Sequence, residues 1–499
     1  MTESLTSKAA TGAIWTAIER FGAQFVTFLV TLALARVLTP GDYGVVGILM
    51  VFMAFSQMLI DCGLTSALVR RKTCSDVEYA TVFWVNLLLS VFCYIVLFCT
   101  APLIAAYYNM RELQPMIDVL GVSLIINALY SVHIARLTVL IDFRTQAKVT
   151  LIKSVVSGLV GIFFAIIGFG AWALIAQTLA ASVVAFILYC FYTRWMPRIT
   201  FSLRAIRELL GFGVKIMFAN LMSTLYLELP PLIIGRKFSA DTLGYYARGS
   251  SLAAFSGGIC QGVFSRVVFT VLAKIQDDQK RLSSSYSRYI QFVVSCSAPI
   301  MTGMIACAHP IVLVLFGEKW MPCIPVVQII AIGWLVDPIA AVNQNVFYVK
   351  NRADIVLKTE IIKKIVAILL VVVSVQYGVI WLCIGRCVYG YFALCVNLYY
   401  SAPLIGMNMW RQFKDVLPTY IVSCVMGWGA FVISESVLKF LGNDRSFVNN
   451  LIALVLSVSF GVMLYGFLAI KVKLGLYREL KWWAQSHSNS LISRIIMKI

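Results

Sequence analysis

The chain has 499 residues, 61% of them hydrophobic and only 13% charged, whereas a soluble globular chain is about 45–50% apolar and about 25% charged. Length alone would suggest roughly three soluble domains, but no soluble fold of this size hides so much apolar surface. The formal charge of +19 would point to nucleic acid in a soluble chain; here no RNA- or DNA-reading motif accompanies it, and basic residues of membrane proteins gather in cytoplasmic loops, where they set orientation and meet anionic lipid.

A membrane-spanning helix needs about 20 apolar residues. The apolar runs predict an all-α membrane protein of about fourteen spans, over 12–38, 44–69, 80–106, 116–141, 151–170, 172–193, 211–235, 244–272, 289–316, 323–348, 355–376, 378–402, 415–438 and 447–470. The first run is too long, and lacks the small-residue cleavage site, for a signal peptide. Turn residues divide closely joined pairs at Gly168–Gly170 and Tyr377-Gly378. Pro230-Pro231 should interrupt backbone hydrogen bonding in the seventh span, and Pro299, Pro310 and Pro338 should kink the ninth and tenth. The eighth is the least regular, interrupted by Arg266 and many Gly and Ser residues. Trp320, Trp410, Trp482 and Trp483 sit near span ends and read as interfacial belts.

The cations test this division. With the spans alternating, and six cations inside spans (Lys153, Lys215, Arg248, Lys358, Lys363 and Lys364) counted with the adjoining loops, 29 Lys and Arg residues fall on one side, 7 on the other and 5 within spans (Arg20, Arg36, Arg136, Arg266 and Arg386). The asymmetry predicts that both termini are cytoplasmic and that the number of spans is even. The largest polar stretches, about 193–210, 273–288 and the tail from Lys471 to Ile499, are too short for a domain of about 50 residues or more. Function is therefore expected within the helices and short loops. Most of the 13 cysteines, such as Cys93, Cys99, Cys190, Cys296, Cys383 and Cys395, fall in apolar runs, no CxxC pair occurs, and only three histidines are present. No metal or redox site is expected.

A short repeat is also visible. Ala35-Arg36-Val37-Leu38-Thr39-Pro40-Gly41-Asp42-Tyr43-Gly44 follows the first span, and Gly235-Arg236-Lys237-Phe238-Ser239-Ala240-Asp241-Thr242-Leu243-Gly244 follows the seventh. At an offset of 200, Arg, Thr/Ser and Gly coincide. Six spans separate the copies, so both keep one orientation and the repeat is parallel, a common transporter plan.

These residues carry a resemblance. Ala35-Arg36-Val37-Leu38-Thr39-Pro40 with Tyr43-Gly44, Gly244-Tyr245-Tyr246-Ala247-Arg248, Phe264-Ser265-Arg266-Val267-Val268-Phe269 leading to Lys274-Ile275-Gln276-Asp277-Asp278, and Leu315-Phe316-Gly317-Glu318-Lys319-Trp320 resemble bacterial polysaccharide exporters of the lipid-linked oligosaccharide flippase group. Colanic acid exporters are close to it, and the larger superfamily includes multidrug-and-toxin extruders. The family commonly has proline where Thr270 stands and an acid where Pro230-Pro231 stand. The resemblance implies two six-helix lobes, here 1–210 and 211–402, around a cavity that opens alternately to each side. Two further helices over 403–470 and a cytoplasmic tail over 471–499 complete the chain. It implies export of an oligosaccharide repeat unit on undecaprenyl pyrophosphate across the inner membrane, for exopolysaccharide or lipopolysaccharide synthesis. Polymerase and glycosyltransferase machinery would be its partners.

Moving such a head group unaided means burying charge in hydrocarbon, at several kcal/mol or more. A wet cationic cavity lowers that barrier, and arginine suits it because its planar fork binds phosphate oxygens in pairs and stays charged. The cavity candidates are Arg266 and Arg386, each about eight residues from a helix end, followed by Arg20, Arg136, Arg36, Arg236 and Arg248. Arg20, Arg136 and Arg386 have snorkelling to the interface as the alternative. Arg36 and Arg236 have helix C-terminal capping instead, and Arg248 a similar role at its loop. Glu19, Asp61, Glu228 and Asp337 are candidates for ion coupling or for pairing with arginine. No catalytic residue and no cofactor is expected beyond a coupling ion, H+ or Na+. A cation-coupled drug extruder would need an acid-lined cavity, but in-span arginines and acids (with Glu435) balance here. A polymerase or glycosyltransferase would need a sizeable loop or a DxD triplet, and neither is present.

Overall fold

The computed structural model describes residues 22–70, 74–442, 446–475 and 477. Among them every regular element is helical: α1 (Gly22–Val37), α2 (Pro40–Asp61), α3 (Leu64–Arg70), α4 (Asp76–Tyr108), α5 (Leu113–Val139), α6 (Phe143–Ile166), α7 (Trp172–Thr193), α8 (Leu203–Lys237), α9 (Ala240–Lys274), α10 (Gln279–Ala306), α11 (Ala308–Leu315), α12 (Ile324–Trp334), α13 (Asp337–Val349), α14 (Ala353–Ser374), α15 (Val379–Ile405), α16 (Met409–Leu441) and α17 (Phe447–Val472). The chain divides into two compact units, Met1–Gly244 and Tyr245–Ile499. Ten segments among the described residues are long and apolar enough to cross a membrane: α2, α4, α5, α6, α7, α10, the stretch Glu318–Val349, α15, α16 and α17. The outward faces are apolar too, with Ile166, Val462 and Met463 more than two-thirds exposed, as lipid-facing helices require. This is a multi-pass membrane protein.

Three predicted spans are broken within their length, and each break has a local cause. The second ends at Asp61 and restarts at Leu64, because Gly63 (φ +67) runs against α8 so closely that a Cβ there would lie 2.4 Å from the Gly213 carbonyl oxygen. The ninth breaks at Cys307, three residues before Pro310, whose missing N–H deprives the Ala306 carbonyl of its helical partner. Beside it, Gln328 Nε2 donates to the Ile305 carbonyl at 3.1 Å. The tenth breaks at Leu335-Val336, ahead of Pro338, and Tyr420 Oη donates to the Leu335 carbonyl at 2.7 Å. Side chains thus supply bonds that lipid cannot. By contrast, α8 runs through Pro230-Pro231 as one helix.

Trp320 corrects the sequence reading. It is fully buried, not interfacial, held edge-on by Tyr245 at 6.1 Å and tilted on Phe316 at 6.0 Å. A single 3-10 turn over Glu318–Cys323 folds it inward. Trp410 is 66% exposed and stacks on Phe413, which fits a span end; Trp482 and Trp483 lie outside the described residues.

The core of the second unit packs Leu272, Val294, Ala298, Val342, Leu398 and Val416 around a polar knot. Tyr286 Oη lies 3.0 Å from Asn343 Oδ1 and 2.7 Å from Gln412 Oε1, and Ser401 Oγ also donates to Asn343 Oδ1. One residue comes from each of α10, α13, α15 and α16, and all four are at most 1% exposed. Such a network fixes the register of four helices, because a slipped helix would strand its partners.

In the first unit the repeat is a physical contact. Thr39 caps α2: its Oγ1 accepts from Asp42 N at 3.3 Å while its own N–H donates to Asp42 Oδ2 at 2.8 Å. Ser239 stands at the same step before α9, its Oγ accepting from Thr242 N at 3.3 Å. The two helix starts then cross at their glycines. A Cβ on Gly44 would lie 1.9 Å from the Ala240 carbonyl oxygen, and a Cβ on Gly244 would lie 1.9 Å from the Pro40 carbonyl oxygen. The crossing is reciprocal, and neither position admits a side chain. Gly44→Ala and Gly244→Ala should each destabilise by about 1–3 kcal/mol or more, and the double variant by less than their sum, since either alone opens the same contact. Thermal unfolding of the purified variants measures this.

Candidate functional site

The second unit gathers charge inside its helices. Arg386, in the second turn of α15, is half-buried and donates from Nη1 to Tyr246 Oη at 3.1 Å. Tyr246 is 3% exposed and stands in the second turn of α9. Asp337 opens α13 at the break that precedes it, and the Arg386 guanidinium acts on its carboxyl electrostatically. A helix N-terminus also favours an anion, so two influences offset part of the cost of burying the Asp337 carboxyl where the span is broken. Close packing positions these groups. A Cβ on Gly385 would lie 2.9 Å from Ser374 Oγ, and one on Gly257 would meet the Trp334 ring at 2.3 Å.

α14 adds more charge. Lys363 is 6% exposed and pairs with Glu360 at 2.5 Å, with Lys364 half-buried beside them. Sequence reasoning missed this group, because it counted Lys363 and Lys364 with the loop cations. The signal was available: a helix starting at Ala353 carries Lys363 ten residues inward, roughly 15 Å. Arg386, Asp337 and Tyr246 together offer a fixed cation, a carboxylate and a phenol at a helix break, groups suited to binding an anionic head group or passing a proton.

The remaining candidates are placed apart. Arg136, in the last turn of α5, lies over the Trp195 ring at 5.5 Å. The same ring meets Tyr79, Phe83 and the buried His133, whose Nδ1 is 2.6 Å from Thr193 Oγ1. That clamp sits at the C-terminus of α5. Arg236, in the last turn of α8, is exposed and lies over the Tyr107 ring at 4.9 Å. Arg36 is exposed at the end of α1. Asp61 ends α2 at the Cys62-Gly63 break, and Glu228 is half-buried just before Pro230 in α8. Arg248 lies in α9 within electrostatic reach of Cys323, where a Cβ on Gly249 would lie 3.2 Å from the Cys323 carbonyl oxygen. Glu435 is half-buried in α16. Glu19 and Arg20 lie outside the described residues; Arg266 falls in α9, but its side chain is not among those described. Among the described residues no cluster of His, Cys, Asp or Glu has the makings of a metal site.

Residues 33–325 match the family model described as polysaccharide biosynthesis protein. The chain belongs to that family. The match covers the crossing glycines, Tyr246, Arg266 and Trp320, and ends before Asp337 and Arg386. Two curated relatives agree with it. The teichuronic acid biosynthesis protein TuaB of Bacillus subtilis (strain 168) is 23% identical over 474 residues, 94% of this chain and 96% of its own length. The lipopolysaccharide biosynthesis protein WzxC of Escherichia coli (strain K12) is 25% identical over 445 residues, 85% and 88% of the two chains. Among solved structures, the lipid II flippase MurJ in its inward closed conformation has a TM-score of 0.75 at 14% identity and covers 94% of this chain and 99% of its own. The polysaccharide biosynthesis protein described here therefore has the fold of that flippase.

The Asp337–Arg386 juxtaposition is testable by a thermodynamic cycle. Arg386→Met should destabilise the folded protein by about 1–3 kcal/mol, because it removes the donor to the buried Tyr246 hydroxyl. Arg386→Met/Asp337→Asn should recover part of the loss, with a coupling of about 0.5–3 kcal/mol. Strict additivity in thermal unfolding would separate the two charges.

Proposed function

We propose that this protein flips an undecaprenyl-pyrophosphate-linked oligosaccharide repeat unit across the bacterial inner membrane by alternating access, in exopolysaccharide or lipopolysaccharide synthesis. The observation that carries this reading is the pairing of a polysaccharide biosynthesis family match with a flippase fold over 94% of the chain. The site chemistry supports it: arginine held inside a span, next to a phenol and a carboxylate, suits a diphosphate. In this reading α1, α8, α9 and α14 complete fourteen spans, arranged as two six-helix lobes and two further helices, and both termini face the cytoplasm. The protein is a carrier and not an enzyme. Asp337 or Glu228 would take up the coupling ion, H+ or Na+, with glycosyltransferases acting before the protein and the polymerase after it.

A null mutant should accumulate undecaprenyl-linked repeat units on the cytoplasmic leaflet. If the units reach the outer face and remain there unpolymerised, the flippase reading fails. Arg266→Ala should abolish export while folded protein persists in the membrane; wild-type export by that variant would reduce Arg266 to a structural role.

A further inference from the structure

A second site lies on the first unit. A groove of about 890 Å³ runs between α4 and α8 over a floor from α2. Its walls include Phe52, Thr100, Leu103, Ile104 and Ile233, and its polar end carries Arg236 and Lys237. Leu103 is 69% exposed and Tyr107 58%, so the groove opens on the outer surface of the helices.

Its walls are fixed in advance. Tyr108 Oη donates to the Leu232 carbonyl at 3.4 Å, and the Tyr108 ring meets Phe52 edge-on at 6.5 Å. Gly235 has no side chain to separate the helices: a Cβ there would lie 2.9 Å from Ile48 Cδ1 and 3.3 Å from the Tyr108 ring. At the polar end, the Arg236 guanidinium rests on the Tyr107 ring, a contact that orients a planar cation and leaves its N–H edge for an anion. An apolar channel that ends in two adjacent cations at a span end has the polarity of a lipid anchored by a phosphate.

We propose that this groove binds one anionic phospholipid from the surrounding leaflet, its phosphate on Arg236 and Lys237 and an acyl chain along Leu103, Ile104 and Ile233. Charge complementarity selects the occupant, because a zwitterionic headgroup would bring its own cation to an end that already carries two. The two cations stand at the end of α8, beside the exposed last turns of α4, which favours resident lipid over cargo. Arg236, a candidate for cargo contact on sequence grounds, is thereby assigned to the bilayer. The bound lipid would brace α4 against α8 where α8 leads into the Gly44–Gly244 crossing.

The test uses the full chain in nanodiscs of phosphatidylcholine alone or of equal parts phosphatidylcholine and phosphatidylglycerol, with retained lipid read by native mass spectrometry and stability by thermal midpoint. The wild type should keep one phosphatidylglycerol through delipidation and gain thermal stability from it. Arg236→Gln/Lys237→Gln should retain it on the order of tenfold less and lose the gain. Ile104→Trp, which fills the channel without touching either cation, should do the same and guards against a folding defect in the charge variant. Retention of phosphatidylcholine equal to that of phosphatidylglycerol, undiminished binding by both variants, or displacement of phosphatidylglycerol by equimolar undecaprenyl phosphate would each overturn the proposal, the last by making the groove a cargo station.

Discussion

A guanidinium, carboxylate or bare carbonyl inside hydrocarbon costs several kcal/mol unless the protein answers it in place, and most of the structure can be read as a set of such answers. The broken tenth span is tolerable because Tyr420 takes the Leu335 carbonyl, and Gln328 serves the Ile305 carbonyl at the break in the ninth. The Tyr286–Asn343–Gln412–Ser401 knot keeps polar side chains in the core of the second unit by giving them one another. Arg386 has Tyr246 and Asp337; Arg136 and Arg236 have aromatic faces.

The same constraint separates two kinds of arginine. One lying on an aromatic ring at a helix end is already satisfied by its surroundings and has little left to change during transport. Arg386 is different, because Tyr246 and Asp337 reach it from two other helices, one of which begins at a break. A movement of α13 or α9 would alter the field at Arg386, whereas the stack of Arg136 on Trp195 would survive it. That asymmetry is why the second unit's cluster is the candidate site.

Much of this was legible in the chain. Helix positions followed from apolar length, and the breaks in the ninth and tenth spans from Pro310 and Pro338. The repeat was visible as Arg, Thr/Ser and Gly at a fixed offset, and the structure gives two of those identities a reason: Thr39 and Ser239 cap, while Gly44 and Gly244 let two backbones touch. What escaped depends on direction and not on spacing. Trp320 lies near a span end, where tryptophan commonly marks the interface, yet a single 3-10 turn folds it inward. Lys363 belongs to a basic run, and its burial shows only once α14 is known to start at Ala353. The break at Cys62-Gly63 needs Gly213, 150 residues away in sequence, to explain it. The partner of Arg386 could not be read either, because Tyr246 lies 140 residues distant.

The most direct measurement is reconstitution. Purified protein would be placed in liposomes carrying an undecaprenyl-pyrophosphate oligosaccharide, and the fraction of glycan reached by an externally added, membrane-impermeant glycosidase would be followed over time. Protein-dependent conversion of the inner-leaflet pool, from about half of the glycan accessible to nearly all of it, and slowed by Arg386→Met in samples matched for folded protein, is the predicted result. A plateau at the level of protein-free liposomes would contradict transport of this lipid by this chain.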